Sequence, residues 1–236
     1  MRLIYSISTT PNRAFLKDKL AKQILIWKKS ITLAKKFYPI TLWTDEVGAA
    51  ILGDLVDEVK ILKKDTENYL WCEPKYEAMM GEDISNSIFI DGDVFLAEPL
   101  KFSPDKDIWF EHFERNTFQY TYQRAVNCFD VSDISSKHRF WHPSLFGACN
   151  VGILRFSSDE VMKSFRDTFY ILKDHYFKNV VENTPMKVPE MVMEEYGLSC
   201  LIEYNSWTWE ALNEQNSYVH MCGSEKYKAG FLQLIT

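Results

Sequence analysis

The sequence predicts an α/β protein built on a parallel sheet that is covered by helices on both faces. Along the first half of the chain, short apolar runs alternate with segments of helical periodicity, and three of the runs are followed by Ser, Thr or Asp. Parallel strands need helical crossovers and are buried on both faces, so they appear as continuous apolar runs. The 236 residues are 46% hydrophobic and 25% charged, which excludes a disordered chain. A chain of this length predicts one sizeable domain, with two small domains as the alternative.

The net charge argues against some classes of binding partner, and the cysteine pattern indicates the redox compartment. Lys and Arg total 27 against 33 Asp and Glu, so a formal charge of −6 gives no overall basic field for nucleic acid or an anionic membrane. No run reaches the roughly 18 apolar residues of a membrane span. Five separated cysteines without a C-x-x-C pair indicate reduced thiols. We therefore expect a cytoplasmic protein with no clear nucleic-acid binding, no signal peptide and no membrane span.

The first 81 residues predict three strands separated by helical segments. Residues 3–7 form an apolar run, which predicts a buried first strand. Apolar residues then recur at steps of three and four over 16–34, which predicts an amphipathic helix. A second strand is predicted at 39–43, a third at 55–62 after a brief helical stretch, and another helix at 71–81.

Two acidic residues follow the next strand directly. The apolar run that ends at Ile90 continues into Asp91-Gly92-Asp93, and a further apolar run occupies 94–96. This places the acids at the carboxyl edge of the sheet, where open α/β folds bind ligands. Residues two apart in an extended chain point to the same side, so both carboxylates can meet one hard cation such as Mn²⁺ or Mg²⁺. A simple turn remains the alternative, because Asp and Gly favour turns.

A second group of polar residues lies near the C-terminus. His220 ends a short apolar stretch, Gly223 permits close backbone approach, and Lys226 offers a cation. Imidazole is a ligand for Mn²⁺-like ions, and a lysine can neutralise a phosphate. On its own this pattern also fits a surface histidine. Combined with the two aspartates, it provides what a metal-bound diphosphate requires.

The second half contains a strand and two helices by the same criteria. Residues 149–154 form an apolar run, 157–160 match a capping box that opens a helix to about residue 177, and a short helix is predicted at 189–196. The intervening stretch 113–143 is rich in aromatic and polar residues without a clear period. By itself it is typical of an insertion with a small core of its own.

The order of these motifs resembles nucleotide-sugar glycosyltransferases of the GT-A (Rossmann-like) fold, especially the glycogenin-like and bacterial galactosyltransferase-like enzymes of glycosyltransferase family eight. Tyr227-Lys228 stands where that family has Pro-Trp, which leaves the donor sugar and the stereochemistry open. The motifs that carry the resemblance are Ser8-Thr9-Thr10, Trp43-Thr44-Asp45, a helix with Lys75, Asp91-Gly92-Asp93, Asn150-Val151-Gly152 and His220-x-x-Gly223-x-x-Lys226.

The resemblance implies a single GT-A domain on a mixed, mainly parallel sheet flanked by helices. Its nucleotide-binding half would be 1–96, and 97–236 would form an acceptor-side half that ends in the metal and diphosphate segment. The aromatic stretch 113–143 would help to shape the acceptor site, because sugars pack on aromatic rings. The metal, Mn²⁺ or Mg²⁺, would bind Asp91, Asp93 and His220. Glu194 or Glu195 would face the acceptor or donor sugar as the catalytic carboxylate. The donor, a UDP-sugar, would contact Thr9, Asp45, Lys75, Asp91, Asn150, Gly223 and Lys226.

The implied reaction is metal-dependent transfer of a sugar from a nucleotide-sugar donor to a glycan or other hydroxyl acceptor, and the His220 motif favours retention of configuration. An inverting enzyme would instead need a carboxylate base, for which Glu190, Glu194, Glu195 and Glu210 are candidates. Two other classes stay open. A sugar nucleotidyltransferase would normally have a glycine-rich loop after the first strand, and residues 8–11 contain no glycine. A catalytically silent nucleotide- or carbohydrate-binding module would use the two acids only as a turn.

Overall fold

The computed structural model divides the chain into two compact units. The first contains Met1–Phe102, Gly152–Arg155 and Asn213–Thr236, and the second contains Ser103–Val151 and Phe156–Leu212. The residues that the structure describes are 1–9, 19–63, 70–114, 122, 126, 131–142, 147–179 and 189–221.

The first unit is built on four parallel strands. They are β1 (Arg2–Ile7), β2 (Ile40–Thr44), β3 (Glu58–Ile61) and β4 (Ser87–Ile90), in the spatial order β3-β2-β1-β4. Every residue of β2 and β4 is buried, as their apolar sequences predict. Residues 152–155 belong to β7 (Ala148–Phe156), which runs antiparallel to β4. The sheet is therefore mixed and mainly parallel, and the predicted α/β class is confirmed.

Helices of the first unit connect these strands. They are α1 (Leu20–Ala34), α2 (Glu46–Leu52) and α3 (Glu73–Met79), with short 3₁₀ turns at Gly53–Leu55 and Ile84–Asn86. The buried face of α1 includes Trp27 and Ser30, and its lysines are on the outer positions, as its periodicity predicts. The part of the predicted helix before residue 19 lies outside the described residues.

A separate two-stranded sheet brings two distant segments of the first unit together. Strand β5 (Val94–Leu96) pairs antiparallel with β9 (Tyr218–His220), and Val94 lies opposite His220. The pairing continues at one end, where the Met221 backbone N–H donates to the Asp93 carbonyl at 3.1 Å. Residues 218–221 are thereby fixed beside the two aspartates that follow β4.

The second unit also combines strands and helices. Strand β6 (Ile108–Glu114) pairs in parallel with β8 (Trp209–Ala211), and β7 begins in this unit at Ala148. Helix α4 spans Val131–Lys137 and α5 spans Asp159–Asn179. Helix α5 begins close to the predicted place, but its cap is Ser158, whose Oγ accepts the Val161 N–H at 3.3 Å, one residue later than the predicted 157–160 box requires. The buried face of α5 includes Val161, Phe165, Thr168, Phe169 and Leu172.

The predicted short helix at 189–196 does not end there. A helical turn at Pro189–Met191 leads into a π-helical turn at Val192–Tyr196, which continues into α6 (Gly197–Asn205). Gly197 permits close packing on α5 instead of ending the helix, since a Cβ there would lie 2.9 Å from Leu172 Cδ1. The chain leaves α6 through Ser206, whose φ of 54° is left-handed. Within the described ranges, no helix combines the length and apolar composition needed to cross a bilayer.

Candidate metal and donor site

The two aspartates occupy a tight turn between β4 and β5, which we call the D-G-D turn (Asp91–Asp93). Its backbone is fixed at both ends: the Asp91 N–H donates to the Gly152 carbonyl at 2.8 Å, and the Val94 N–H donates to the Asp91 carbonyl at 3.2 Å. The turn therefore lies at the carboxyl end of a parallel strand, as the sequence predicts.

His220 joins the D-G-D turn through the β5–β9 pairing. Its Nε2 lies 3.3 Å from Asp93 Oδ1, and the two side chains are only 9% and 13% exposed. Asp91, Asp93 and His220 each offer one ligand atom, and these atoms all lie within 4.8 Å of one another. Two carboxylate oxygens and one imidazole nitrogen are a donor set that suits Mn²⁺ and, less well, Mg²⁺. The structure thus brings the three predicted ligands together, and they fit the predicted ion.

A buried lysine contacts the same turn. Lys75 on α3 is 4% exposed, and its Nζ lies 2.9 Å from Asp91 Oδ1. The ammonium group offsets part of the negative charge that the turn concentrates beside the core. The sequence suggested that Lys75 reaches toward a donor; the structure places it against Asp91, and donor contact stays a prediction.

Thr9 and Asp45 form a second polar pair, at the carboxyl ends of β1 and β2. Asp45 caps α2 by accepting the Gly48 N–H at 2.8 Å, and it also accepts the Thr9 hydroxyl at 2.8 Å and the Thr9 N–H at 2.5 Å. Ser8 Oγ adds a longer hydrogen bond of 3.3 Å. This carboxylate therefore fixes Ser8 and Thr9, the two residues that follow β1 directly. Contact of Thr9 and Asp45 with a nucleoside stays a prediction.

The second unit holds a buried network around the predicted sugar-facing residues. Asn150 Nδ2 donates to Glu114 Oε1 at 3.0 Å, and the Tyr122 hydroxyl lies 3.1 Å from Glu114 Oε2 and also contacts Glu195 Oε2. Burial beside Glu195 and Glu114 raises the pKa of Tyr122, so the phenol stays protonated. The structure therefore links the predicted residues Asn150 and Glu195 through two residues that were not predicted as site residues.

Sequence reasoning had no signal for Glu114 and little for Tyr122. Glu114 ends an apolar strand, where an acid is ordinarily a solvent-facing residue, and Tyr122 is one of several aromatics in a stretch without periodicity. Their roles depend on three segments that meet only in the folded chain. The other predicted carboxylate, Glu194, is 2% exposed on the π-helical turn.

His112 carries a positive charge next to this network. Its Nδ1 lies 3.3 Å from Glu111 Oε1, and its Nε2 lies 3.5 Å from Glu114 Oε1. Hydrogen bonding to Glu111 and then to Glu114 raises the pKa of His112 to about 9. The imidazolium offsets the charge of two carboxylates that are largely buried.

The predicted site residues thus fall into two sets. The first unit contains Thr9, Asp45, Lys75 and the three metal-ligand candidates, and the second contains Asn150, Glu194 and Glu195. Gly223 and Lys226 lie outside the described residues.

No family profile and no curated protein sequence matches this chain. Solved structures do match its fold. The inositol-1-phosphate CTP transferase of T. maritima has a TM-score of 0.51 and 11% identity, over 99% of this chain and 94% of that chain. The CTP:phosphocholine cytidylyltransferase LicC of Streptococcus pneumoniae has a TM-score of 0.50 and 13% identity, over 99% and 98%.

A glycosyltransferase is also among the matching structures. GlyE of Streptococcus pneumoniae TIGR4 has a TM-score of 0.48 and 11% identity, over 89% of this chain and 45% of that chain, so the present chain spans about half its length. Identities this low establish likeness of fold alone. The chain has an α/β fold of the kind found in the two CTP-dependent transferases.

Proposed function

We propose that this protein is a metal-dependent glycosyltransferase that moves a sugar from a nucleotide-sugar donor, a UDP-sugar, to the hydroxyl group of a glycan or other acceptor. The observation that carries the proposal is the convergence of Asp91, Asp93 and His220 at the carboxyl end of β4. A turn alone needs neither two like charges side by side nor an imidazole from a distant strand. A cytoplasmic location, expected from cysteine usage, is part of the proposal.

Expulsion of a nucleoside diphosphate is the difficult step of such a reaction, because negative charge develops on the leaving group. Asp91, Asp93 and His220 would hold Mn²⁺ or Mg²⁺, which supplies Lewis-acid stabilisation of that charge when bound. Lys226 would place a further cation beside the diphosphate, and Gly223 would allow the backbone to approach it. Two opposite unit charges about 4 Å apart attract by roughly 4 kcal/mol at an effective dielectric constant of 20, so each cation matters in a chain of net charge −6.

The remaining predicted residues would bind the organic parts of the substrates. Thr9 and Asp45 would lie near the base and ribose, and Lys75 would reach the donor while it holds Asp91. Asn150 would lie beside the donor sugar, with Glu194 or Glu195 facing a sugar. In the favoured retaining reaction, the departing phosphate accepts the proton of the acceptor hydroxyl, so neither glutamate has to act as the base.

Hydrolysis of the donor in the presence of Mn²⁺ tests this proposal without knowledge of the acceptor. We expect a screen of UDP- and GDP-sugars to identify one donor whose sugar the wild-type protein slowly transfers to water. Asp93→Asn should lower that rate by about 100-fold or more, since it replaces an anionic oxygen ligand of the ion that stabilises the developing charge by a neutral amide oxygen. Asp54→Asn, which changes an exposed aspartate of the same unit, should leave the rate unchanged.

The outcomes separate the candidate classes. A rate that Asp93→Asn leaves unchanged would remove the metal role of the D-G-D turn. Absence of both turnover and binding with every donor would favour a catalytically silent module.

A nucleotidyltransferase is the second candidate. The two similar structures with TM-scores of 0.51 and 0.50, an inositol-1-phosphate CTP transferase and a CTP:phosphocholine cytidylyltransferase, support it because they match nearly all of this chain. The absence of glycine from residues 8–11 argues against it. Pyrophosphate release from CTP with inositol 1-phosphate or phosphocholine as co-substrate would establish this second function. No release with either compound, together with turnover of a nucleotide sugar, is the result that our proposal predicts.

A further inference from the structure

The indole ring of Trp27 lies directly against the D-G-D turn. Trp27 is on the buried face of α1 and is 5% exposed. A Cβ built on Gly92 would lie 2.4 Å from Trp27 Cδ1, 2.8 Å from Trp27 Nε1 and 3.3 Å from Ile7 Cδ1. Any side chain at position 92 would therefore displace either the ring or the turn.

The same face of α1 also contacts the residue that follows the turn. Ser30, three positions after Trp27, is fully buried, and its Oγ donates to the Val94 carbonyl at 2.5 Å. Ser30 is itself hydrogen-bonded to the buried Tyr5 hydroxyl at 3.0 Å. Because residues three apart lie on one helix face, α1 supports both the middle of the turn and the start of β5.

The contacts of Trp27 and Ser30 restrain the backbone that carries the metal-ligand candidates. The carboxylates of Asp91 and Asp93 repel one another. A restrained backbone is therefore needed to keep them close enough to share one ion. Lys75 restrains Asp91 from one side at 2.9 Å. The backbone between the two aspartates is restrained by the Trp27 ring, and Val94, which Ser30 holds, is the register partner of His220.

We propose that Trp27 is a positioning residue of the metal site, whose indole fixes the Gly92 backbone and thereby the separation of the Asp91 and Asp93 carboxylates. The inference rests on the metal site of the proposed function. It assigns to Trp27 no contact with the ion or a substrate. Residues that orient metal ligands typically change metal affinity by about 10- to 100-fold when they are mutated, so the effect is measurable.

A double-mutant cycle on Mn²⁺ affinity tests the proposal, with calorimetry on the intact chain as the readout. We expect Gly92→Ala and Trp27→Val each to weaken Mn²⁺ binding by about tenfold. Valine has no atom beyond Cγ, so it vacates the space that the new methyl group needs. The double variant Trp27→Val/Gly92→Ala should therefore bind at least as tightly as either single variant, whereas independent effects would multiply to about 100-fold.

Two further variants separate positioning from general loss of stability. Gly81→Ala is matched in structure, because a Cβ there would lie 2.5 Å from Cη2 and Cζ2 of Trp43, in the same unit and outside the turn. It should lower the melting temperature measured without metal but leave Mn²⁺ affinity unchanged. Trp27→Phe keeps Gly92 and a ring carbon near Cδ1, so it should fold and retain most of the affinity.

The results that would overturn the inference differ from the result that would refute the proposed function. The inference is overturned if Gly92→Ala and Trp27→Val bind Mn²⁺ as the wild type does, if their effects multiply in the double variant, or if Gly81→Ala weakens binding equally. A wild-type protein that binds no Mn²⁺ refutes the proposed metal function itself, and the inference with it.

Discussion

His112 is held as an imidazolium by Glu111 and Glu114, which raise its pKa from 6.5 to about 9. A pKa raised on folding stabilises the folded state fully below the unfolded value, and this stabilisation is lost as pH rises through the folded value. We therefore expect the difference in melting temperature between wild type and His112→Gln to be largest below pH 6.5 and to disappear above about pH 9. Thermal unfolding at a series of pH values measures it. A difference that grew with pH would contradict the assignment.

Lys75 and Asp91 form an ion pair with 4% and 26% exposed side chains. Removal of one partner leaves the other charge poorly compensated, at a cost of about 2 kcal/mol once the exposure of Asp91 is taken into account. Lys75→Met should lower the free energy of unfolding by that amount in urea titrations. Lys22→Met, at an exposed lysine on α1, should change it by less than about 0.5 kcal/mol. Equal effects of the two variants would argue against a structural role for the pair.

At the scale of an element, Asp45 connects α2 to the end of β1. It caps the helix through Gly48 and also accepts two hydrogen bonds from Thr9. Asp45→Ala should lower the free energy of unfolding by about 2 kcal/mol, at the upper end of the range for caps, because the Thr9 donors also lose their acceptor. Glu46→Ala removes an exposed acid from the same first turn and should cost about 0.5 kcal/mol. Denaturant unfolding of both variants distinguishes a cap from a generic acidic residue.

The elements differ in how well the sequence predicts them. Strands β1, β2 and β4 are apolar runs buried on both faces, and α1 and α5 repeat apolar residues over several turns, so local pattern is sufficient for them. The β5–β9 pair has only three residues in each strand, and its partners are far apart in sequence. No periodicity specifies such a pairing, although it places His220. The π-helical turn at Val192–Tyr196 likewise has no sequence signature, because its extra residue per turn depends on packing.

The residues of the candidate site also differ in whether local sequence is enough to predict them. Asp91 and Asp93 could be predicted because a strand and its end are local features. The convergence of His220 with them was predicted by combining two motifs and through resemblance to a family. The structure brings the three side chains within reach of one another, and metal binding by them stays a prediction. Three other features depend on distances between separate elements, which the sequence does not reveal. They are the contact of Lys75 with Asp91, the network of Glu114, Tyr122 and Glu195, and the contact of Trp27 with the D-G-D turn.

At the scale of the whole molecule, buried thiols report the opening of each unit. Cys72 lies in the first unit, Cys149 and Cys200 lie in the second, and all three are buried. Burial raises the pKa of Cys200 to about 12 and raises that of Cys149 as well, so their reactive thiolate forms are scarce at pH 8. We expect iodoacetamide to leave these three cysteines unmodified in the native protein and to label them once urea unfolds their unit. Mass spectrometry of the labelled peptides assigns each site, and rapid native labelling of any of the three would contradict the packing described.

The account as a whole depends on one ion bound by two carboxylates and one imidazole. Pulsed electron paramagnetic resonance of Mn²⁺ bound to the protein tests this directly, because a coordinated imidazole nitrogen modulates the electron spin echo. We predict one Mn²⁺ per chain with ¹⁴N modulation in the wild type and loss of that modulation in His220→Gln. Mn²⁺ bound without ¹⁴N modulation, or modulation that survives His220→Gln, would contradict the site.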